Sequence, residues 1–172
     1  MSSVSPPMRQ LVDWSAAIWA GILSGFVFLL LNIFLSPFMM GGNAWVMVRL
    51  LASVTMGEGI LAPPATFHLA ALCVAVVTNF FLCFLFGLLV ACIIHRGGLI
   101  IGVLGGAVLG LAIYSINFYT FTYFFPWFFA LRGWVMAFNH IILGALAGGI
   151  YEWLEVEEFV PVTDESTGTE LW

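Results

Sequence analysis

The sequence predicts an all-α membrane protein with four transmembrane helices and an interfacial amphipathic segment between helices 1 and 2. Of its 172 residues, 63% are hydrophobic and only 8% are charged, whereas soluble domains carry roughly 25% charged residues. The mean hydropathy is +1.12. Four apolar stretches are longer than the roughly 20 residues that cross a hydrocarbon core. Because four spans cannot close a β-barrel and open sheet edges do not survive in lipid, these spans must be helices.

The chain divides into three parts. Residues 1–13 form a short polar segment, residues 14–153 the transmembrane domain, and residues 154–172 an acidic tail, which we expect to be solvated and flexible. Within the domain the spans are predicted at about residues 14–40, 68–94, 99–122 and 126–153, with the interfacial segment at 41–67. Residues 95–98 (HRGG) are short enough to be a tight turn between the second and third spans.

The interfacial segment is predicted from its mixed pattern. Apolar residues recur in it at helical spacing, at Trp45, Val48, Leu51 and Ala52, and polar residues interrupt them. A short helix lying at the membrane surface fits this pattern. Pro63-Pro64 then ends the segment and returns the chain to the membrane.

The distribution of arginines predicts the orientation. The chain has no lysine and four arginines. Arg9 and Arg96 flank the spans on one side, and Arg49 lies in the opposite loop, which favours both termini in the cytoplasm.

Seven of the nine acidic residues lie in residues 151–172. No basic patch suggests nucleic acid, so membrane lipid and other integral-membrane subunits are the predicted partners.

Small residues at four-residue spacing predict close helix packing. They occur on three helices, at Gly21, Gly25, Gly102, Gly106, Gly110, Gly144 and Gly148. Such spacing lets two backbones approach closely, and packing holds membrane helices together. The contacts could lie inside the four-helix bundle or against another chain.

Polar side chains inside the spans are the candidate site residues: Asn32, Asn79, Asn117, Asn139 and His140. An amide in lipid needs a hydrogen-bond partner, so we expect these groups to point inward as structural contacts or as a polar pathway. Counted along the predicted spans, Asn79 and Asn139 lie deeper than Asn117, which argues against a single layer of asparagines.

Arg132 is predicted to lie about 9 Å inside the fourth span. Glu58 is the only acidic residue on the same predicted side, so the two are predicted to form a structural ion pair that holds the interfacial segment on the bundle. Arg49 competes for Glu58, and Arg132 could instead bind a substrate or a lipid headgroup. His140 is predicted about 12 Å deeper than Arg132, so the two need not share a site.

No motif in the sequence predicts an enzyme, a metal site or an intrinsic cofactor. There is no H-E-x-x-H, G-x-S-x-G or P-loop motif. His68, His95 and His140 lie at different predicted depths, so a haem held by two histidines is not expected. The four spans contain no carboxylate before Glu152, which argues against a coupled carrier. Cys73, Cys83 and Cys92 are interpreted as small apolar fillers.

Two segments carry a resemblance to a known family. Residues 57–69 (GEGILAPPATFHL) and 116–151 (INFYTFTYFFPWFFALRGWVMAFNHIILGALAGGIY) resemble small, functionally uncharacterised four-span proteins of the bacterial inner membrane. The likeness covers most of residues 12–152, and the family includes members labelled as symporters, which this length and topology do not support. The resemblance implies an inner-membrane setting, beside cytochrome oxidase components, and assigns no catalytic residue.

Three functions are consistent with these patterns. The leading hypothesis is an accessory, non-catalytic subunit of a larger membrane complex, of respiratory type. The alternative is a homo-oligomeric channel or small-molecule carrier that uses Arg132, Asn139 and His140. A third is a redox subunit with His140 as a single cofactor ligand.

Overall fold

The structure is a computed structural model that describes residues 8–161. Four of its helices are long and apolar enough to cross a membrane: Trp14–Met40, Leu69–Ile94, Gly98–Tyr123 and Trp134–Leu154. The predicted fold class is therefore confirmed, and the chain is a multi-pass helical membrane protein.

The first span is not a uniform α-helix. It consists of α1 (Trp14–Leu30), a π-helical segment (Leu31–Leu35) and the short helix α2 (Ser36–Met40). Asp13 caps its start, because its Oδ1 accepts a hydrogen bond from the Ala16 amide at 3.0 Å. Gly41, in the left-handed conformation with φ of 74°, ends it.

The interfacial segment forms the helix α3 (Ala44–Met56), followed by a 3-10 turn (Glu58–Leu61). One side of α3 is buried against α4, where Val48 and Ala52 pack with Ala71 and Ala75. The predicted segment therefore contains a short helix, and its position at the membrane surface stays a prediction.

Arg49 holds the loop that follows α3. Its Nη1 donates to the carbonyl oxygens of Ile60 and Ala62, at 3.2 and 3.0 Å, and its Nη2 donates to that of Thr66 at 3.2 Å. The guanidinium therefore satisfies loop carbonyls that no helix or sheet could satisfy.

The second and third spans are antiparallel and are joined by a short turn. Helix α4 (Leu69–Ile94) is capped by the His68 imidazole, and α5 (Gly98–Ser115) begins after the predicted turn at residues 95–97. A second π-helical segment (Ile116–Thr120) and a 3-10 turn (Phe121–Tyr123) end the third span.

The predicted start of the fourth span at residue 126 is wrong. Residues Pro126–Leu131 form a 3-10 helix, the backbone is extended at Arg132 and Gly133, and α6 runs over Trp134–Leu154. The break is stabilised by α5, since the Gly133 amide donates to the Tyr114 hydroxyl at 3.1 Å. Helix α6 is still 21 residues long, enough to cross the bilayer.

Glycines lie where the helices of the bundle contact each other most closely, and the predicted glycine contacts lie within this chain. Gly102, Gly106 and Gly110 on α5 face the backbone of α6 at Gly148, Gly144 and His140, where an added Cβ would overlap backbone carbonyl groups. On α1, a Cβ at Gly21 or Gly25 would lie 2.7 Å from Cys83 atoms of α4. Gly87 of α4, which the pattern did not include, contacts the α1 backbone in the same way.

A two-stranded sheet joins the two ends of the described chain. Strand β1 (Met8–Gln10) pairs antiparallel with β2 (Phe159–Pro161), with Arg9 opposite Val160. Strand β2 belongs to the acidic tail, which was expected to be flexible, and it is instead paired with β1. Residues 1–7 and 162–172 lie outside the described part. We call this end of the bundle the terminal end, and the opposite end, next to α3, the α3 end.

Candidate functional site

The structure connects four of the five predicted intramembrane polar residues in two contacts near the α3 end. In the first, the Asn139 amide nitrogen donates to the Ser36 hydroxyl at 2.9 Å and to Asn32 Oδ1 at 3.3 Å. Asn139 is fully buried, so these bonds replace water that it cannot reach. This contact links α6 to the end of the first span.

The second contact links α6 to the end of the third span. The Asn117 amide nitrogen lies 3.4 Å from His140 Nε2, and His140 Nδ1 lies 2.7 Å from the Met136 carbonyl oxygen. A carbonyl oxygen only accepts, so Nδ1 carries the proton. An amide nitrogen only donates, so Nε2 carries none. With the Asn117 nitrogen as donor and the Met136 oxygen as acceptor, the two contacts suit a neutral imidazole that is protonated at Nδ1.

Both partner asparagines lie in π-helical segments, Asn32 in Leu31–Leu35 and Asn117 in Ile116–Thr120. A π-helical turn inserts an extra residue and rotates the side chains that follow, and such turns are frequent at functional sites. In this chain, each of the two segments directs an amide at α6. Nothing in the local residue pattern predicts them.

The predicted depths of Asn139 and His140 were wrong because the predicted start of the fourth span was wrong. With α6 beginning at Trp134, Asn139 and His140 are only five and six residues into the helix, about 8 to 9 Å from its start. That places them level with the ends of the first and third spans, where Asn32 and Asn117 lie.

Aromatic rings surround the His140 imidazole. The ring centroids of Phe28, Phe118 and Tyr114 lie 4.8, 5.7 and 5.8 Å away, each in an edge-on arrangement. His140 is 3% exposed. The imidazole is thus a polar group in an almost wholly apolar wall.

This wall belongs to a cavity of about 250 Å³ beneath α3. Apolar side chains from every span and from α3 line it, among them Phe28, Val48, Leu72 and Phe128. Its polar lining consists of Asn32, Asn117 and His140. Leu82 and Phe121 also line it and are exposed at the surface of the bundle. Because Leu82 lies near the middle of α4, the mouth of the cavity faces hydrocarbon.

Asn79 does not join the cavity. Its amide nitrogen donates to the Gly25 carbonyl oxygen at 2.9 Å, across the α1–α4 glycine contact. Its Oδ1, like that of Asn139, is buried without a hydrogen-bond partner among the described residues. Asn79 therefore acts as a structural contact between α1 and α4.

The structure does not bring Glu58 and Arg132 together. Arg132 Nε donates to the Phe118 carbonyl oxygen, and Nη2 donates to the Thr122 hydroxyl at 2.8 Å. Its guanidinium carbon lies 4.5 and 4.3 Å from the ring centroids of Tyr119 and Phe129. Glu58 is exposed, and within residues 8–161 no ion pair joins it to Arg132 or Arg49. The reason is that the irregular end of the third span offers free carbonyl and hydroxyl acceptors next to the guanidinium.

Sequence reasoning missed several participants. Ser36 is fully buried, and its hydroxyl accepts a hydrogen bond from Asn139. The Tyr114 hydroxyl accepts one from the Gly133 amide, at the break before α6. The Trp127 indole donates to Ser53 at 2.8 Å and so ties the 3-10 helix to α3. A serine inside an apolar span was the one available signal, since a hydroxyl there needs a partner.

In comparisons with known proteins, no family model, no curated protein and no solved structure matches this chain. Within the described part of the chain, no three His, Cys, Asp or Glu side chains are placed to hold a metal ion together. The site is therefore a mostly apolar cavity. Its wall carries one hydrogen-bonding pair, Asn117 and His140.

Proposed function

We propose that the protein is an accessory, non-catalytic integral-membrane subunit of a larger bacterial membrane complex, of respiratory, oxidase-associated type. The observation that carries this proposal is an exposed aromatic surface where the third and fourth spans meet. We call it the α5–α6 aromatic surface; it consists of Tyr119, Tyr123, Phe124, Phe129 and Trp134, each more than 60% exposed.

The composition of this surface favours a protein partner. Tyrosine and tryptophan commonly line the membrane interface, where their polar atoms reach water. Phenylalanine has no such atom, so Phe124 and Phe129 gain nothing from the headgroup level. Aromatic side chains are also the residues that dominate protein–protein binding energy.

The surface is also preorganised. Arg132 lies against the rings of Tyr119 and Phe129, and its hydrogen bonds to the end of the third span fix it in place. A cation over an aromatic ring contributes roughly 0.5–1 kcal/mol at exposed sites. A partner that binds a surface already held in shape orders fewer side chains on binding.

The proposed setting is the bacterial inner membrane, with both termini in the cytoplasm. The antiparallel pairing of β1 with β2 puts both ends of the described chain on one side. Arg9 and Arg96 belong to that side and Arg49 to the other, which favours the cytoplasm for the terminal end. The resemblance of residues 57–69 and 116–151 to small inner-membrane proteins supports the same setting.

The alternative channel or carrier has less support. Arg132 and Asn139 direct their hydrogen bonds to the third and first spans respectively, and His140 bonds to Met136 and Asn117. A hydrated path would need these groups to face a common lumen. The same engagement of both ring nitrogens of His140 argues against the redox subunit.

Site-specific photocrosslinking tests the proposal. A benzophenone amino acid replaces Tyr123, which is 84% exposed on the aromatic surface, and as a control Ile100, which is 76% exposed near the other end of α5. In native membranes we expect Tyr123, and not Ile100, to crosslink to one defined integral-membrane protein identified by mass spectrometry. Lipid adducts alone at both positions, together with a homogeneous monomer in mild detergent, would contradict it.

A further inference from the structure

We propose that the cavity beneath α3 binds the ring of a membrane-dissolved quinone, with a ring oxygen on the Asn117 amide and the hydrocarbon tail leaving through the mouth at Leu82 and Phe121. This binding site is independent of the docking function proposed above.

The size of the cavity fits one substituted ring. An apolar protein cavity of about 150 Å³ stays dry and binds benzene, and this cavity measures about 250 Å³. A six-membered ring with several substituents fits such a space, whereas a whole lipid does not. The aromatic side chains Phe28, Phe118 and Phe128 supply the walls.

The polar lining favours a ring with an oxygen over a plain hydrocarbon chain. The Asn117 amide nitrogen points one hydrogen at His140 Nε2 and has a second to donate. Its carbonyl oxygen has no donor among the described residues. An acyl chain in the cavity would offer neither group a hydrogen bond, and a polar group left unpaired out of water costs about 1–3 kcal/mol.

The same amide suits both oxidation states of a quinone. A ring carbonyl oxygen accepts from the amide N–H, and a hydroxyl group donates to the amide oxygen. His140 holds the amide in place, because its Nε2 lies 3.4 Å from the Asn117 nitrogen while its Nδ1 is held by the Met136 carbonyl oxygen at 2.7 Å. We propose binding alone and no electron transfer.

The position of the mouth explains how such a ligand enters. Leu82 and Phe121 are 46% and 47% exposed and belong to α4 and to the end of the third span. A quinone dissolved in the bilayer meets this opening without crossing water, and its tail can stay in lipid while the ring is bound.

The test measures binding to the purified full chain by saturable quenching of tryptophan fluorescence. The probes are a ubiquinone with one isoprene unit, a decyl-tailed ubiquinone, and butylbenzene as a competing hydrocarbon of similar width. We expect both quinones to bind and to compete for one site. Asn117→Leu should weaken quinone binding about three- to tenfold, the effect of one hydrogen bond, and should leave competition by butylbenzene unchanged.

A matched pair of substitutions separates the cavity from the lipid-facing surface. Val54→Phe fills the cavity, which Val54 lines, and Val108→Phe adds the same bulk on the lipid-facing side of α5, where Val108 is 67% exposed. Loss of quinone binding in the first variant alone supports the site. Failure of the decyl-tailed quinone to bind, or equal weakening of quinone and butylbenzene by Asn117→Leu, would overturn the proposal.

Discussion

At the scale of single residues, most polar groups inside the spans form hydrogen bonds to another span or to their own helix, while the Oδ1 atoms of Asn79 and Asn139 have no partner within residues 8–161. Asn79 reaches the Gly25 carbonyl, Asn139 reaches Ser36, and Arg132 reaches the end of the third span. In hydrocarbon no water can replace such a partner. These residues therefore specify which helices meet, and at which height.

Asn139→Leu is expected to destabilise the protein by about 1 kcal/mol, the usual range for one such bond between membrane helices. The substitution keeps the branch at Cγ, with a larger side chain, and leaves Ser36 and Asn32 without their amide donor. Equilibrium unfolding in detergent measures the effect, with the neighbouring exposed Phe138→Leu as control. Equal stability of the two variants would show that the Asn139 contact contributes nothing.

At the scale of elements, sequence reasoning identified the four spans and the helix α3, because their apolar lengths and periodicity decide them. It misplaced the start of the fourth span. The stretch from Pro126 to Leu131 is as apolar as a helix, and only tertiary hydrogen bonds at Arg132 and Gly133 show that it is irregular. The π-helical segments were missed for the same reason, since a partner on another span stabilises them.

The site could be predicted only in part, because tertiary contacts decide where α6 begins and where the π-helical segments form. The residues Asn32, Asn117, Asn139 and His140 were identified by their chemistry, because an amide or imidazole in an apolar span is unusual. Their grouping depends on the true start of α6 and on the two π-helical turns. The cavity depends on how α3 packs over the bundle, which no local pattern specifies.

The glycine contact between α5 and α6 leads to a prediction at this scale. Gly106→Ala is expected to destabilise the bundle by about 1–3 kcal/mol, the usual cost of overpacking, because the new Cβ would overlap the Gly144 backbone. Gly105→Ala is the control on the same helix, where the nearest atom is 3.7 Å away on the Ile94 side chain. That variant should be neutral or slightly more stable, since alanine favours helix.

Thermal unfolding of the two variants in the same detergent measures this difference. If Gly106→Ala unfolds at the same temperature as Gly105→Ala, then the close contact between α5 and α6 does not contribute measurably to the stability of the bundle.

At the scale of the whole molecule, the two ends of the bundle have different roles. The α3 end carries the cavity and the α5–α6 aromatic surface. The terminal end is closed by pairing between the two ends of the chain: the Leu11 amide donates to the Glu158 carbonyl oxygen at 2.9 Å, and the Gln10 side-chain amide donates to Glu155 Oε1 at 3.2 Å.

Asp13 joins the start of the first span to the chain leaving α6, and its charge makes this closure depend on pH. Its Oδ1 accepts from the Ala16 amide at 3.0 Å and its Oδ2 from the Val156 amide at 3.1 Å. The backbone hydrogen bond from Ala16, together with that from Val156, holds the pKa of Asp13 below its ordinary value despite partial burial. Since the folded pKa is the lower one, the stabilisation is complete above the ordinary pKa and is lost as pH falls through the folded pKa.

Asp13→Asn should therefore reduce stability at about pH 7, above the ordinary aspartate pKa, and this effect should disappear as pH falls through the lowered folded pKa. Asparagine can still cap α1 through its carbonyl oxygen, but its amide nitrogen cannot accept from Val156. Amide hydrogen exchange at residues 156–160 reports the closure directly, and exchange within α5 serves as the internal control. We expect faster exchange of the terminal strand in the variant at about pH 7 and equal exchange at low pH. A difference of the same size at both pH values would show that shape, and not the charge of Asp13, joins the two ends of the chain.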